Sequence, residues 1–335
     1  MRKRITLILA LMLMLTAVTP AFAEEPFTIG VVYKQTGNPY FVAALHGFEE
    51  AQKELGFQLI SNGPADASNE GQIQIIESFI QQGVDAIAIA ANDPAGVVNV
   101  LQVALDAGIK VISFDSPVNP EARNLDIVPA SMENIGRIQA REMAEQIGYE
   151  GQIAILSGST TMENINTWVR YIKDELTKEE YANIELVTVV YGDDLTDKSY
   201  QEVQGLIDSY PNLKGVIAPT TVAIAAAATC IADNELAGQI KLTGVGLPSE
   251  MADYVLDGVC EGMYLWNPID LGYCTAYACH ALLGGTLDTS VGLTFDAGRL
   301  GSMEILYDGN GNPFVSVGEP FRFTAENIAE WKDVF

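Results

Sequence analysis

The chain has 335 residues, of which 48% are hydrophobic and 19% charged, and its formal net charge is −26. Such a composition supports a sizeable core and argues against disorder, and the length suits two domains. An acidic chain without clusters of Lys and Arg repels nucleic acid and anionic lipid, which excludes nucleic-acid binding.

The first 23 residues have the three-part organisation of a secretory signal peptide. Arg2, Lys3 and Arg4 form a basic start, residues 5–18 are almost wholly apolar, and Ala21-Phe22-Ala23 is a small-x-small cleavage site. We expect cleavage after Ala23 and a mature protein of about 312 residues in the periplasm. An uncleaved membrane anchor is the alternative, although the apolar stretch is shorter than the roughly 20 residues that cross a bilayer.

Short apolar strands then alternate with amphipathic helices. Strands are predicted at 27–33, 57–61, 86–90 and 110–114, with helices at 38–55, 70–82 and 94–107. This alternation is typical of right-handed βαβ units with a parallel sheet.

The alternation restarts at residue 127, after an extended segment at 127–129. Strands follow at 152–156, 184–190, 215–218, 240–245 and 262–266, and helices at 133–147, 164–176, 200–209, 223–234, 250–256 and 271–283. The sequence therefore predicts an α/β fold of two doubly wound parallel-sheet lobes. We expect one lobe to comprise 24–126 and 267–298 and the other 127–266 and 299–335, with crossovers near Asp126, Trp266 and Gly298.

Ligands of open parallel sheets bind at the carboxyl ends of the strands, where this chain places many polar and aromatic side chains. Amides and carboxylates bond hydroxyl groups, and aromatic rings pack on the C–H faces of a sugar, so the set suits a neutral polyol. The predicted contact residues are Lys34, Asn38, Phe41, Asn92, Asp115, Asn164, Asn166, Thr221, Trp266 and Asn267.

Structural roles are open alternatives for several of these residues. Asn92, which precedes Asp93 and Pro94, is also a candidate helix N-cap, Phe41 is a candidate core residue, and Lys34 could be a solvated surface charge.

Enzymatic and metal-binding motifs are missing from the chain. It contains no GxSxG, GxxxxGK[ST], HExxH or GxGxxG motif, and the paired carboxylates Asp193 and Asp194 are interpreted as a turn. We therefore expect no catalysis, no cofactor and no metal, with an exported glycosidase as the alternative. Four cysteines without CxxC spacing do not indicate zinc, and either buried thiols or one disulfide remain open.

Long stretches of the mature chain resemble one protein family. They are ANDPAGVV from Ala91, VISFDS from Val111, VTVVYGDDLTDKSY from Val187, IAPTTV from Ile217, GVGLPSEMA from Gly244 and WNPIDLGY from Trp266. The chain resembles the type I periplasmic binding proteins of the ribose-binding class, and most closely the rhamnose-binding subgroup. The resemblance implies two lobes joined by three crossovers, a monosaccharide clamped between them, and delivery to the permease of an ABC importer by a monomeric receptor.

The neighbouring autoinducer receptors share the layout but differ in the pocket. Lys34, Asp115 and Pro219 match their pattern, whereas Asn164-Ile165 replaces an Asp-Gln pair and Thr221 replaces an Ala. These differences argue against the autoinducer ligand.

Ribose binders of this class usually carry an Arg after the pocket Asp, and here that position is Ser116. Ribose is therefore not the expected ligand, and the resemblance to the rhamnose-binding subgroup implies a 6-deoxyhexose, rhamnose above all. Another sugar, an autoinducer-like furanosyl signal, and a receptor that serves a chemosensor are the alternatives.

Overall fold

The structure is a computed structural model that describes residues 26–290 and 292–335, so the predicted signal peptide lies outside the described residues. The described strands are β1 (Thr28–Val32), β2 (Gln58–Asn62), β3 (Ala86–Ile89), β4 (Lys110–Phe114), β5 (Leu125–Val128), β6 (Gly151–Ser157), β7 (Ile184–Tyr191), β8 (Leu213–Ala218), β9 (Lys241–Gly244), β10 (Met263–Leu265), β11 (Thr294–Asp296), β12 (Ser302–Glu304), β13 (Leu306–Tyr307), β14 (Pro313–Ser316) and β15 (Phe321–Phe323). The described α-helices are α1 (Pro39–Leu55), α2 (Asn69–Gln82), α3 (Val98–Asp106), α4 (Met132–Ile147), α5 (Glu163–Glu175), α6 (Thr196–Ser209), α7 (Thr221–Asp233), α8 (Pro248–Leu256), α9 (Pro268–Leu283) and α10 (Ile328–Trp331).

The first lobe is built on a seven-stranded sheet of order β13-β14-β5-β4-β3-β1-β2. All neighbours pair in parallel except β13 and β14, which form an antiparallel hairpin at the edge. The residues of β3 are fully buried, which explains why this strand is a continuous apolar run instead of an alternating one. Helices pack on both faces, as in a doubly wound sheet.

The second lobe is built on a parallel sheet of order β7-β6-β8-β9. A bridge between Val245 and Tyr264 brings β10 beside β9, and β10 pairs in turn with β15. The two sheets confirm the expected architecture of two α/β lobes.

The crossovers differ in part from the expected boundaries. Because β5, which contains Asp126, pairs with β4, the first crossover follows β5 at residues 129–131 instead of lying near Asp126. The second lies at Trp266 and Asn267, after which α9 packs against α1 of the first lobe.

The third crossover is displaced from the position expected near Gly298. Phe314 of β14 pairs with Asp126 of β5, so residues 306–316 lie on the first sheet and the chain crosses at 317–320 before β15. The assignment of 299–335 to the second lobe is therefore wrong for β13 and β14. Such short edge strands lack a periodicity that would predict their distant partner.

The structure distinguishes the two alternatives for the cysteines. All four cysteines are free and buried, so the disulfide is not formed. Within 26–290 and 292–335 there is no helix long and apolar enough to cross a membrane, and no group of three metal-binding side chains.

Helices α1 and α9 approach so closely that glycine is required at their contact. A Cβ atom on Gly272 of α9 would lie 1.9 Å from the carbonyl oxygen of Ala44 in α1, and one on Gly47 would lie 1.9 Å from the carbonyl oxygen of Ile269. This contact joins α9, which follows the second crossover, to α1, which begins beside the cleft.

We expect Gly272→Ala to destabilise the fold by about 1–3 kcal/mol, because the backbone of α1 must move to admit a methyl group. Gly205→Ala in α6 is the matched control, since a Cβ atom there meets nothing within 4 Å. It should leave stability unchanged or raise it, because Ala favours a helix interior over Gly. Thermal unfolding of both variants measures the difference, and equal melting temperatures would contradict the steric argument.

Candidate functional site

A cavity of about 40 Å³ lies between the lobes at the carboxyl ends of the strands. It contains seven of the ten predicted contact residues. Its lining is Lys34, Asn38, Tyr40, Phe41, Asp115, Asn164, Ile165, Trp168, Asp194, Pro219, Thr220, Thr221, Val245 and Trp266.

A buried ion pair occupies the first-lobe side of this cavity. Lys34 follows β1 and Asp115 follows β4, and their Nζ and Oδ2 atoms lie 3.4 Å apart with both side chains 5% exposed. Asp115 has a φ of 61°, in the left-handed region that most side chains avoid. Its backbone amide donates to the carbonyl of Ile127, which anchors this turn to β5.

A hydrogen-bonded chain links the second crossover to Asp115. The indole Nε1 of Trp266 donates to the hydroxyl of Tyr40 at 2.7 Å, and that hydroxyl donates to Oδ1 of Asp115 at 2.9 Å. Burial and then the negative charge of Asp115 raise the pKa of Tyr40 well above its ordinary value, so the phenol stays protonated and donates.

Aromatic rings form the apolar walls. Trp168 meets Trp266 edge to face with centroids 5.6 Å apart, and Phe41 meets Tyr40 in the same way at 5.2 Å. Trp168 comes from α5 of the second lobe, while the other three rings come from the first lobe and the crossover. The apolar surface is therefore shared by both lobes.

Asn164, in the first turn of α5, is the polar contact across the cleft. Its Oδ1 accepts from Nζ of Lys34 at 3.1 Å and from Oγ of Ser116 at 3.2 Å. Thr221 approaches Asn38 from the second lobe, with their side-chain oxygens 3.5 Å apart. A bound polyol would exchange such interlobe contacts for contacts with its hydroxyl groups.

Asp194 is a second buried carboxylate that sequence reasoning did not place in the site. It lies in the turn after β7, as interpreted from the sequence, yet it is only 4% exposed and lines the cavity. Oδ1 accepts from the hydroxyl of Thr220 at 2.8 Å, and the backbone carbonyl accepts from Nε2 of Gln35 at 2.9 Å. The signal was available, since Asp194 follows a strand end just as Asp115 does.

Burial is the main reason why the pKa of Asp194 lies above its ordinary range. The negative charge of Asp115 raises the pKa further, whereas the Thr220 hydrogen bond and the Lys34 ammonium act in the opposite direction. The causes that raise the pKa of Asp194 therefore outweigh those that lower it.

Three predicted contact residues lie outside the cavity. Nδ2 of Asn92 donates to the carbonyl of Lys34 at 2.8 Å, Nδ2 of Asn166 donates to the carbonyl of Thr160, and Asn267 caps α9 by accepting from the amides of Ile269 and Asp270. Asn92 thus supports the loop that carries Lys34, and Asn267 has the capping role common at helix starts.

The remaining lining residues were missed because they belong to helix starts or apolar segments. Tyr40 and Trp168 look like core positions in the periodic pattern, and Val245 extends a strand. Only the folded arrangement brings them to the cleft.

Comparison with known proteins identifies the family. A model described as periplasmic binding protein domain matches residues 29–287, most of the chain. This protein belongs to the periplasmic binding protein family. Members of this family and the matched relatives are binding receptors and not enzymes, which agrees with the expectation from the motifs.

Three periplasmic binding protein relatives illustrate the range of ligands. An ABC transporter solute-binding protein from Clostridium phytofermentas, solved with L-rhamnose, is 36% identical, with a TM-score of 0.90 over 92% of this chain and 99% of that one. The D-ribose/D-allose-binding protein of Pseudomonas aeruginosa is 28% identical over 69% of this chain and 73% of its own. LsrB from Clostridium saccharobutylicum, solved with AI-2, is 22% identical with a TM-score of 0.86 over 91% of this chain and 99% of that one, and shows the shared fold alone.

We expect Asp194→Asn to gain thermal stability relative to the unmodified protein as the pH rises from 4 to 8. Because the pKa of Asp194 is raised in the folded protein, ionisation of this carboxyl group favours unfolding. The resulting loss of stability begins near the ordinary pKa of Asp and is complete above the pKa that Asp194 has in the folded protein. Asn cannot ionise, so the variant does not lose this stability. Melting temperatures of both proteins across this pH range provide the measurement.

Asp193→Asn is the control for the turn itself. Asp193 also has a left-handed backbone, with a φ of 53°, but its side chain is 47% exposed and pairs with Lys198. An equal pH trend in both variants would show that burial of Asp194 is not the cause.

Proposed function

We propose that this protein is an extracytoplasmic receptor that binds a monosaccharide between its two lobes and delivers it to an ABC importer. The observation that carries the proposal is the contact of the Lys34–Asp115 pair with Asn164 across the cleft. Charged and amide groups from both lobes converge there between aromatic rings, which is the chemistry that recognises hydroxyl groups and C–H faces.

Rhamnose is the ligand that we infer within this class. The relative solved with L-rhamnose has 36% identity over nearly the full chain, whereas the receptor solved with AI-2 has 22%. The aromatic wall of Trp168, Trp266 and Phe41 suits the methyl group of a 6-deoxyhexose, because a methyl group needs no hydrogen-bond partner.

Binding requires movement of the lobes or of Lys34. The cavity of about 40 Å³ has room for only a few water molecules, so a sugar cannot enter it unchanged. We infer that the lobes separate at the three crossovers, that hydroxyl groups replace the interlobe bonds of Asn164 and Thr221, and that a ligand held by both sides favours closure.

We also propose that the protein is exported, that it lies in the periplasm and that it is a monomer. Cleavage after Ala23 concerns residues outside those the structure describes. The intact mass of the protein recovered from the periplasm of an expressing cell tests the cleavage site, and light scattering tests the monomer.

We expect Asp115→Ala to weaken sugar binding by roughly 30-fold or more, since loss of a buried, hydrogen-bonded charge costs about 2–5 kcal/mol. Asp115→Asn should also weaken binding, and Asn tolerates the left-handed backbone at this position, so the second variant separates charge from backbone strain. Asp106→Ala, at an exposed carboxylate in α3 of the same lobe, is the control. Calorimetric affinities equal to that of the unmodified protein for both Asp115 variants would contradict this role.

The sugar itself is tested by calorimetry with L-rhamnose, L-mannose, fucose, ribose, xylose and galactose. L-Mannose differs from L-rhamnose only by a hydroxyl group on C6, and a buried hydroxyl group without a partner should cost about tenfold or more in affinity. Equal or tighter binding of L-mannose would overturn rhamnose as the ligand and leave a sugar receptor. Binding of no sugar in the panel would overturn the proposed function.

A further inference from the structure

A buried hydrogen bond joins the two lobes beside the central cavity. Nε2 of Gln35, in the loop after β1, donates to the backbone carbonyl of Asp194, in the turn after β7, at 2.9 Å. A carbonyl oxygen only accepts, so the side-chain amide of Gln35 must be the donor. Gln35 is 7% exposed and does not line the central cavity. The bond therefore connects the lobes at a position that a sugar in that cavity leaves in place.

The loop that carries Gln35 is anchored to the first lobe on both sides of this residue. The backbone carbonyl of Lys34 accepts from the side-chain amide of Asn92 at 2.8 Å. The backbone amide of Thr36 donates to the carbonyl of Pro64 at 2.8 Å. Gln35 thus presents its donor from a loop that moves with the first lobe.

The turn that accepts this hydrogen bond is anchored to the second lobe in the same way. The backbone amide of Asp193 donates to the carbonyl of Gly158, which follows β6, at 2.9 Å. The hydroxyl of Thr220, which precedes α7, donates to Oδ1 of Asp194 at 2.8 Å. A force on the Asp194 carbonyl therefore acts on the second lobe and not on a free loop.

The interlobe contacts inside the central cavity differ from this one. Nζ of Lys34 donates to Asn164 at 3.1 Å, and Thr221 approaches Asn38 at 3.5 Å, and all four of these residues line the cavity. Hydroxyl groups of a bound sugar would replace those contacts. The Gln35 bond is outside the sugar's place, so it adds to the closed form whether or not a sugar is bound.

We propose that Gln35 is a positioning residue that stabilises the closed lobes without touching the sugar, and so sets the affinity of the receptor but not its choice of sugar. This inference rests on the proposed function, in which the lobes separate and close around a monosaccharide. A contact made in the closed form shifts the equilibrium between open and closed protein. Every ligand that requires the closed form then gains affinity by the same factor.

The first test replaces the donor with an apolar side chain of similar length, in Gln35→Met. Calorimetry with L-rhamnose and L-mannose should show an affinity loss of about three- to tenfold, as expected for one intramolecular hydrogen bond. The loss should be the same for both sugars, so that the ratio of their affinities stays unchanged. Gln81→Met, at an exposed residue of α2 in the same lobe, is the matched control and should bind both sugars as the unmodified protein does.

The second test keeps the shape of the side chain and removes the donor, in Gln35→Glu. An ionised carboxylate only accepts and would face the Asp194 carbonyl, which also only accepts. At pH 7.5 this variant should therefore lose at least as much affinity as Gln35→Met. A role in packing alone would leave the affinity of this variant unchanged, because Glu and Gln have nearly the same size. Circular dichroism of the sugar-free variants checks that each one is folded.

Titration of the unmodified protein with the sugars separates the two proposals. If sugar binds and Gln35→Met or Gln35→Glu retains full affinity, the role of Gln35 is overturned and the sugar receptor stands. Losses that differ between L-rhamnose and L-mannose by more than about threefold would also overturn it, because they would show that Gln35 acts on the sugar itself. If no sugar binds the unmodified protein, the proposed function fails and the role of Gln35 with it.

Discussion

The cleft depends on one buried ion pair, between the ammonium group of Lys34 and the carboxylate of Asp115. Removing charges from water is costly, and attraction repays that cost only where further hydrogen bonds complete the site. Here the hydroxyl of Tyr40 donates to Asp115 and the amide oxygen of Asn164 accepts from Lys34. The placement of α1 and of α5 is therefore constrained by one ion pair.

The sequence was sufficient to predict the two-lobe α/β fold because βα alternation is a local signal. It also placed Lys34, Asp115 and Asn164 at the cleft, since ligands of open parallel sheets bind at the carboxyl ends of the strands. It could not settle Asn92, because an amide at a strand end can bond either a ligand or a neighbouring loop. In the structure the side-chain amide of Asn92 donates a hydrogen bond to the backbone carbonyl of Lys34.

Long-range pairing explains what the sequence left undetermined. β14 has four residues and pairs with a strand almost two hundred positions earlier, and nothing in its own pattern specifies that partner. Tyr40 and Trp168 look like core residues because they are core residues by burial, at 4% and 2% exposed. The polar role of Tyr40 arises only where α1 meets the turn after β4, through the hydrogen bond to Asp115.

The pairing of β14 with β5 also has a consequence for the order of folding. The strand Leu125–Val128 lacks its second neighbour until residues 313–316 have been made, after all of the second lobe except β15 and α10. Contacts of such sequence separation form slowly and expose an unpaired sheet edge in the interval. The first lobe is therefore completed only after most of the second lobe has been made, and its open edge is the segment of the unfinished chain most in need of protection from aggregation.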